Sequence, residues 1–346
     1  MIAMYLLSRM LLTCLATCCL LVAHSQKHRE KYTISLPEQK ISDSRYNSLL
    51  FIDGRADTSN MGIVQLGAFN KKALVIAETP LNQQFLAIFN QLIDSSAKQG
   101  ECIFLLRQLS FAEVTKAMSE RGYCYLRAAL FARSGEGYQK INDIDTVILV
   151  KAMDVTRAMF RRGSKTIHEF IGQNLQRAPG EATLYSLSDI HALDSVEKRS
   201  IPVYNTTAYT EGVYQTYEAF KQQKPDIPAA VIETDKAGLF VVKVTTEKGK
   251  KEKIKSGDLY ALVQGGQPYI ATEFGYYNLE KRMDDFYFTG KTKVAASQGD
   301  IMAASMFFGL IGGLLASQSV EAVFEMKVDH VGGGFIRLKE IPSVSQ

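Results

Sequence analysis

An apolar segment near the N-terminus limits where this chain can fold, because it has the layout of a cleavable export signal. Arg9 supplies one positive charge, residues 11–22 are almost uniformly apolar, and residues 23–25 (Ala-His-Ser) place small side chains before a cleavage site at Gln26. This layout is typical of a secretory signal peptide, and the apolar run is short for a membrane span. We therefore expect residues 1–25 to be removed and the rest to fold outside the cytoplasm.

Two other interpretations of this segment stay open. Without cleavage, it would act as an N-terminal membrane anchor. Residues 15–18 (Leu-Ala-Thr-Cys) are also similar to the sequence that is cut before a lipidated cysteine, although the threonine before Cys18 fits that pattern poorly. The localisation that we expect is export to the periplasm or association with the outer envelope, with a lipoprotein as the alternative.

The composition of the chain is that of an ordinary globular protein with room for two domains. Of its 346 residues, 46% are hydrophobic and 22% are charged, which excludes disordered and collagen-like chains. The 40 basic and 36 acidic residues give a net charge of only +4. Because nucleic acids attract strongly basic surfaces, we expect no nucleic-acid partner.

Two cysteines remain after the signal segment, Cys102 and Cys124. Both are predicted at the start of strands that flank one helix. An even pair in an oxidising compartment can form a disulfide. Two buried, unpaired thiols are the alternative.

Strands alternate with amphipathic helices over residues 49–178, after a polar leader at residues 26–48. Thr79 is a natural N-cap and Pro80 suits the first helical position, ahead of an apolar stripe with helical spacing from Leu81 to Leu92. These features predict a helix here, and the whole region is expected to be a mixed α/β layer domain.

Two further helices are predicted in the same region. Ser110 and Glu113 have the spacing of a capping box, which predicts a short helix over residues 111–120. Asp154 should cap a second helix, and Gly163-Ser164 should interrupt it.

The second half of the chain has a different character. Residues 179–230 are predicted to be a connecting region with short helices, and residues 231–346 to be a mostly β domain with several short strands. The overall prediction is an α+β protein, in which an α/β layer domain precedes a β-rich domain.

One segment of the β-rich region departs from this pattern, because residues 301–317 carry no charge. As a helix, this run would be about 25 Å long, which is less than the roughly 30 Å hydrocarbon core of a bilayer. Gly309 and Gly313 form a GxxxG pair, and Phe307 and Phe308 precede it. We expect a buried apolar helix on the β-rich domain, and a membrane or oligomer contact through these four residues is the alternative.

The clearest candidate for ligand binding is a short acidic and basic alternation. Asp53, Arg55 and Asp57 would share one face of an extended segment and could hold a cation or a polar ligand. A solvated turn with local ion pairs is the alternative. Asp143 and Asp145 form a second acidic pair with the same spacing. They could belong to an acidic catalytic site only together with residues that are distant in the sequence.

No metal or cofactor is expected. The four histidines after the signal segment, His28, His168, His191 and His330, are widely separated, and no standard zinc, nucleotide or serine-hydrolase motif occurs. The triplet at residues 332–334 is predicted to be a glycine hairpin turn. A cluster of five lysines between residues 248 and 255 could contact an anionic lipid or polysaccharide, or it could be a solvated hairpin tip.

Three stretches resemble a group of uncharacterised exported proteins of the bacterial cell envelope. They are residues 53–58 (Asp-Gly-Arg-Ala-Asp-Thr), residues 212–221 (Gly-Val-Tyr-Gln-Thr-Tyr-Glu-Ala-Phe-Lys) and the glycine-containing apolar segment late in the chain. The resemblance is scattered over the chain, and it implies an envelope location without any activity or catalytic residue.

These observations favour an exported, non-catalytic envelope protein that acts as a binding or scaffold module. Its partner is unknown, with envelope proteins, the membrane surface and polysaccharide as candidates. A membrane-associated or oligomer-forming component that uses residues 301–317 is the second hypothesis. A hydrolase with an acidic site built from Asp53, Asp57, Asp143 and Asp145 is the third.

Overall fold

The structure is a computed structural model, and it describes residues 28–67, 71–116, 119–180, 182–228, 230–235, 240–245, 249–295 and 319–342. The signal segment at residues 1–25 and the apolar run at residues 301–317, with Phe307, Phe308, Gly309 and Gly313, lie outside these ranges. No helix within the described ranges combines the length and the apolar character needed to cross a bilayer.

The chain has the predicted α+β class, with helices packed on several sheets. The described part of the first sheet consists of β1 (His28–Tyr32), β2 (Ser48–Asp53), β3 (Gly62–Leu66), β4 (Lys71–Ala77), β5 (Glu101–Lys116), β6 (Ser119–Ser134) and β7 (Gly137–Val150). Its strand order is β1-β4-β3-β5-β6-β7, and β2 pairs with the first half of β5. Strand β1 lies in the predicted leader and pairs in parallel with β4, so that leader is partly built into the sheet.

The long antiparallel strands β5, β6 and β7 form the centre of this sheet. They correct the prediction of a helix over residues 111–120, because β5 continues through Ser110 and Glu113 to Lys116. Each of these residues has a partner on β6, and the ladder satisfies the backbone groups that a helix would otherwise have paired. The apparent capping box is therefore a local pattern that the tertiary pairing overrides.

Helix α1 (Leu81–Leu92) packs on the sheet through its apolar stripe. Leu81, Phe85, Ile88, Phe89 and Leu92 are all buried, as the helical spacing predicts. Pro80 occupies the N-cap position and no side chain caps the helix, so Thr79 does not have its predicted capping role.

Helix α2 (Val155–Asn174) begins as predicted at Asp154, whose side chain accepts a hydrogen bond from the Arg157 backbone N–H. The predicted interruption is absent, because the helix continues through Gly163 and Ser164. A Cβ on Gly163 would lie 3.0 Å from Sγ of Cys124, so this glycine serves the close approach of the helix to β6.

Cys102 and Cys124 are both buried free thiols. Cys102 pairs with Ala132 in the β5–β6 ladder, whereas Cys124 pairs with Phe111. Phe111 is nine residues beyond Cys102 along β5, which corresponds to about 30 Å of strand. A disulfide requires Cα atoms within about 7 Å, so the two thiols are too far apart in this fold to form one. The alternative prediction of two buried, unpaired thiols is therefore the one that describes them.

The connecting region contains short helices, as expected: α3 (Leu187–His191), α4 (Leu193–Arg199) and α5 (Tyr217–Lys221), with a 3₁₀ turn at Pro202–Tyr204. Ser186 forms a capping box with Asp189 at the start of α3, and the Thr216 side chain caps α5. Strand β8 (Gly212–Tyr214) also lies in this region, and it pairs with a strand of the second half.

The described part of the second half is mostly β, as predicted. Its strands are β9 (Val231–Thr234), β10 (Phe240–Thr245), β11 (Lys251–Ile254), β12 (Ala261–Gln264), β13 (Gln267–Thr272), β14 (Gly275–Asn278), β15 (Glu280–Arg282), β16 (Asp285–Ala295), β17 (Ser319–Val328) and β18 (Phe335–Ile341), with a 3₁₀ turn at Ser256–Asp258. They form sheets with the orders β11-β10-β9, β14-β13-β12-β8 and β15-β16-β17-β18.

The two larger hydrophobic cores lie in different parts of the chain. One is built from the first sheet, α1 and α2, with Phe85, Phe104 and Phe111 fully buried. The other is built from residues of the connecting region and the β-rich half, including Phe220 and Phe286. Polar and charged side chains described below bridge the surfaces of these two parts.

Candidate functional site

An open cleft of about 680 Å³ lies where β3 and β5 meet the N-terminal end of α2. The residues that define it are the acidic Glu30, Glu113, Glu120 and Asp154, the basic Arg157, and the apolar Leu66, Val155 and Phe160. We call it the acidic cleft, because the described residues of its wall carry four carboxyl groups and one guanidinium group. Its size is within the range of small-molecule sites in proteins.

Glu113 is the most buried charged residue of the acidic cleft, with 5% of its surface exposed. Its Oε2 accepts hydrogen bonds from the Gln65 backbone N–H at 3.3 Å and from the Thr156 hydroxyl at 2.5 Å. These two contacts hold the carboxylate at the wall of the cleft.

Burial raises the pKa of Glu113, and the hydrogen bonds from Thr156 and Gln65 only partly offset it. The negative charges of Glu120 and Asp154 raise the pKa further. The local field is therefore one that a positive charge would relieve.

A second group of charged residues lies between the first sheet and the second half of the chain. We call it the ion-pair cluster, and it consists of Arg107, Arg127, Asp145, Asp194, Glu197, Asp329 and His330. It joins β5, β6 and β7 to helix α4 and to the turn that connects β17 with β18.

Arg107 reaches helix α4 because of an irregularity in β5. The β5–β6 register shifts between Leu106 and Gln108, so Arg107 is the additional residue of a β-bulge. Its guanidinium donates to Glu197 at 2.7 and 3.0 Å and to Asp194 at 2.5 Å. Bulges commonly redirect a side chain in this way.

Arg127 of β6 holds the β17–β18 turn through a two-pronged contact. Its two Nη atoms donate to the Asp329 carboxylate at 2.9 and 2.7 Å, and Nη2 also donates to Asp145 at 2.9 Å. Asp329 in turn accepts from the backbone N–H groups of Val331 and Gly332. Arg127 lowers the pKa of Asp329 against the opposing effect of burial.

Asp194, Glu197 and His330 bring three possible metal-ligand atoms within 4.8 Å of one another. His330 Nε2 lies 2.9 Å from Glu197 Oε2. The same Oε2 accepts from Arg107 at 2.7 Å, so a guanidinium already occupies the cationic position between the two carboxylates. A metal ion on these oxygens would lie against that positive charge, and the set therefore fits an ion-pair network instead of a metal centre.

The ion-pair cluster should make the free energy of unfolding depend on pH in the acidic range. Burial opposes the charged form of Glu197, but His330 and Arg107 outweigh it and lower its pKa from 4.5 to about 2. Because the pKa is lower in the folded state, the stabilisation is fully present above pH 4.5 and is lost as the pH falls toward 2. We expect Glu197→Gln to reduce the loss of unfolding free energy over this window, as measured by urea denaturation.

A matched control for this measurement is Glu218→Gln, since the Glu218 side chain is 68% exposed and makes surface contacts with Lys221 at 3.5 Å and Gln222 at 3.3 Å. The control should retain the acid sensitivity of the unchanged protein. Identical pH profiles for Glu197→Gln and the unchanged protein would contradict the assignment.

The residues predicted to bind a ligand at positions 53–57 form local contacts. Arg55 is 9% exposed and makes a two-pronged ion pair with Asp53, with both nitrogen–oxygen distances at 2.8 Å. Asp57 accepts hydrogen bonds from Ser59 and Asn60 in the following turn. These local contacts match the alternative to ligand binding, which was a turn with local ion pairs.

The four carboxylates considered for a hydrolase do not converge. Asp53 pairs with Leu106 on β5, Leu106 with Ala128 on β6, and Ala128 with Ile144 on β7, so Asp53 lies three strands from Asp143 and Asp145. That separation is about 14 Å. Asp143 instead contacts Lys140 at 3.4 Å, and Asp145 contacts Arg127.

The glycine triplet forms the predicted hairpin turn, which is closely packed. Gly333 has φ +73°, and a Cβ there would lie 2.1 Å from the Tyr217 ring. Of the five clustered lysines, Lys251 and Lys253 are exposed on β11, and Lys248 lies outside the described residues.

Arg107, Arg127 and Glu113 were not predicted from the sequence as site residues. Arg107 and Arg127 each stand within an otherwise apolar strand segment, and a buried arginine requires an acidic partner. That signal indicates an ion pair but not its partners. Glu113 was assigned to a helix cap, which concealed its position facing the cleft.

Comparisons with known proteins leave the chain without an assigned family. No protein-family model and no curated protein matches it. One similar solved structure is protein XCC0632 from Xanthomonas campestris, of family-model DUF330, at 12% identity over 42% of this chain and 95% of its own, with a TM-score of 0.29. Another, described as an uncharacterized protein, has 10% identity over 42% and 98%, with a TM-score of 0.26. These scores carry no conclusion about fold or function.

Proposed function

We propose that this protein is an exported, non-catalytic binding module of the bacterial cell envelope, and that the acidic cleft holds its ligand. The observation that carries this proposal is the open acidic cleft of about 680 Å³, in which Glu113 is only 5% exposed and shares the wall with Glu30, Glu120 and Asp154.

The ion-pair cluster supports binding over catalysis. A general base needs a free lone pair and a pKa near the working pH. Glu197 is instead bound by Arg107 and His330, and these contacts lower its pKa to about 2. Its charge therefore stabilises the fold, and the acidic cleft is left as the better candidate for contact with other molecules.

The proposal predicts position-specific crosslinking at the rim of the cleft. Met153 lines the acidic cleft with its side chain fully exposed, and Met283 is 90% exposed in the tight turn between β15 and β16. A photo-crosslinking amino acid at Met153 should form adducts in producing cells because a bound ligand would lie against it. The same replacement at Met283 is the matched control, and intact-mass spectrometry measures both.

Adducts at position 153 that greatly exceed those at position 283 are the expected result. Equal yields at the two positions, or no adduct at either, would contradict a binding site in the cleft. The added mass also separates a protein partner from a small ligand or a polysaccharide fragment.

A further inference from the structure

We infer that the outer edge of β7 is an interface at which the protein pairs with a second copy of itself. Strand β7 ends the strand order of the first sheet, and it is 14 residues long. A long strand at a sheet edge presents unpaired backbone N–H and C=O groups to any strand that can reach them. Pairing of β7 with β7 of a second copy would join the first sheets of the two molecules, and it does not depend on the ligand of the acidic cleft.

One end of this edge already accepts an antiparallel partner from its own chain. The backbone groups of Tyr138 and Tyr185 exchange two hydrogen bonds, at 2.8 and 2.7 Å. The chain then leaves the edge and enters α3, so over residues 142–150 the described parts of the chain provide no backbone partner on the outer side of β7. We call residues 142–150 the open stretch, and it is as long as an ordinary strand.

The side chains of the open stretch suit antiparallel pairing with themselves. A two-fold axis at its middle residue, Thr146, places Ile144 opposite Ile148 of the second copy, and Thr146 opposite its own copy. These residues lie on the α2 side of the sheet, where the two isoleucines are only partly buried. Pairs of β-branched residues and pairs of threonines are favourable across antiparallel strands. On the other side of the sheet, the acidic residues would stand opposite Val147 and Leu149, so like charges would not meet.

Helix α2 carries a second, independent match on the side that faces the edge. Gly163 faces β6, and Ser164, about 100° farther around the helix, contacts Tyr32 of β1 at the far end of the sheet. Arg162 is about 100° around in the other direction, so it lies on the side of β7. Glu169 follows about two turns later and lies on the same side. Both Arg162 and Glu169 are exposed.

The helix and the open stretch share their centre because α2 runs antiparallel to β7. At the end of the helix, Asn174 contacts Asn142 at 3.1 Å. At its start, Val155 lies against Gly122, which pairs with Val150. The middle of α2 therefore lies over the middle of the open stretch.

The two-fold axis that pairs the strands would also bring Arg162 of each copy next to Glu169 of the other. Glu169 makes an exposed contact with Lys165 at 3.6 Å, which leaves room for a second cation. Helix α2 packs over both β6 and β7, and neighbouring strands are about 4.8 Å apart, so the two α2 axes would lie about 10 Å apart. That distance is usual for packed helices, and the complementary charges therefore favour a second copy as the partner.

The first test is disulfide linkage at one position of the chain, purified from producing cells. Opposite residues of antiparallel strands have Cα atoms about 4.5–5.5 Å apart, which is within disulfide range. Thr146→Cys should therefore form a linked dimer under mild oxidation, as measured on a non-reducing gel, since both native thiols are buried. Leu149→Cys is the matched control on the same strand. It is 48% exposed but would lie about 20 Å from its copy, so it should stay unlinked.

The second test is analytical ultracentrifugation of charge variants of α2. Arg162→Glu would place carboxylates against each other and should weaken association by about tenfold or more. Adding Glu169→Arg to the same chain should restore association, because the pair is then reversed. Arg161→Glu is the control, since Arg161 is exposed on the same helix and points about 100° away from Arg162. It should associate like the unchanged protein.

Linkage at position 146 without linkage at position 149, together with restoration by the reversed charge pair, is the expected result. A chain that stays monomeric at the highest attainable concentration would overturn the inference, and so would equal linkage at the two positions. A dimer that Arg162→Glu leaves unchanged, or that Glu169→Arg fails to restore, would place the interface elsewhere and would also overturn it.

Discussion

Replacement of Arg127 by methionine is expected to lower the free energy of unfolding by about 3–5 kcal/mol, which is the usual cost of removing one partner from a buried ion pair. The Arg127 and Asp329 side chains are 12% and 11% exposed, so little water is available to replace the lost contact. Methionine retains most of the aliphatic volume and removes the charge. Urea denaturation at pH 7 measures the change.

The control for this experiment is Arg133→Met, also on β6. The Arg133 side chain is 49% exposed, and its distance of 3.9 Å to Glu101 makes a weak surface pair. We expect a change of less than about 1 kcal/mol there. Equal losses for the two variants would show that the ion-pair cluster has no special role in stability.

A double variant separates the ion pair from general disruption of the fold. Arg127→Met combined with Asp329→Asn removes both charges while keeping an amide oxygen that can accept from the turn N–H groups. The double variant should be more stable than the sum of the two single losses predicts, because neither charge is left alone. Simple additivity would contradict the direct coupling of the two residues.

The second large effect is expected at Phe104, where replacement by alanine should cost about 3–5 kcal/mol. Phe104 on β5 is fully buried, and its ring lies 4.6 Å from that of Phe85 on α1 and 6.1 Å from that of Phe170 on α2. The side chain thus joins the sheet to both long helices. Truncation would leave a cavity at this junction, and thermal or urea unfolding would measure the loss.

Leu149→Ala on the edge strand β7 is the comparison, since Leu149 is 48% exposed. It should cost less than about 1 kcal/mol because the removed atoms are already half in water. A loss at Phe104 as small as that at Leu149 would mean that the packing of α1 and α2 on the sheet contributes little to stability.

Local sequence patterns predicted an element correctly where the tertiary contacts of that element favour the same structure. The apolar stripe of Leu81 to Leu92 buries one face of α1, and Asp154 caps α2 as its position suggests. Gly265 and Gly266 form the two-residue hairpin turn between β12 and β13, with the positive φ at both residues that glycine favours. In these cases the local and the tertiary preferences coincide.

The errors arose where a tertiary contact decides the structure. Ser110 and Glu113 match a helix cap locally, but their partners on β6 keep them in a strand. Gly163 resembles a helix break, yet its missing side chain allows close contact with Cys124. Long-range partners of this kind are not visible in a single sequence.

The acidic cleft and the ion-pair cluster could not be predicted from the sequence for the same reason. Arg127 and Asp329 are 202 positions apart, and the bulge at Arg107 depends on the register of β5 against β6. The acidic cleft combines residues from the four strands β1, β3, β5 and β6 and from the start of α2, which the topology alone brings together. The signal in the sequence was an arginine within an apolar strand segment, which indicates a buried ion pair without identifying its partner.

The most direct test of the central claim combines the crosslinking residue at position 153 with Glu113→Gln in the same chain. Adducts are measured by intact-mass spectrometry in producing cells, beside the chain that keeps Glu113. If the acidic cleft holds its ligand through Glu113, the adducts at position 153 should largely disappear while the variant remains folded. Adducts of unchanged mass and yield in the Glu113→Gln chain would contradict the account.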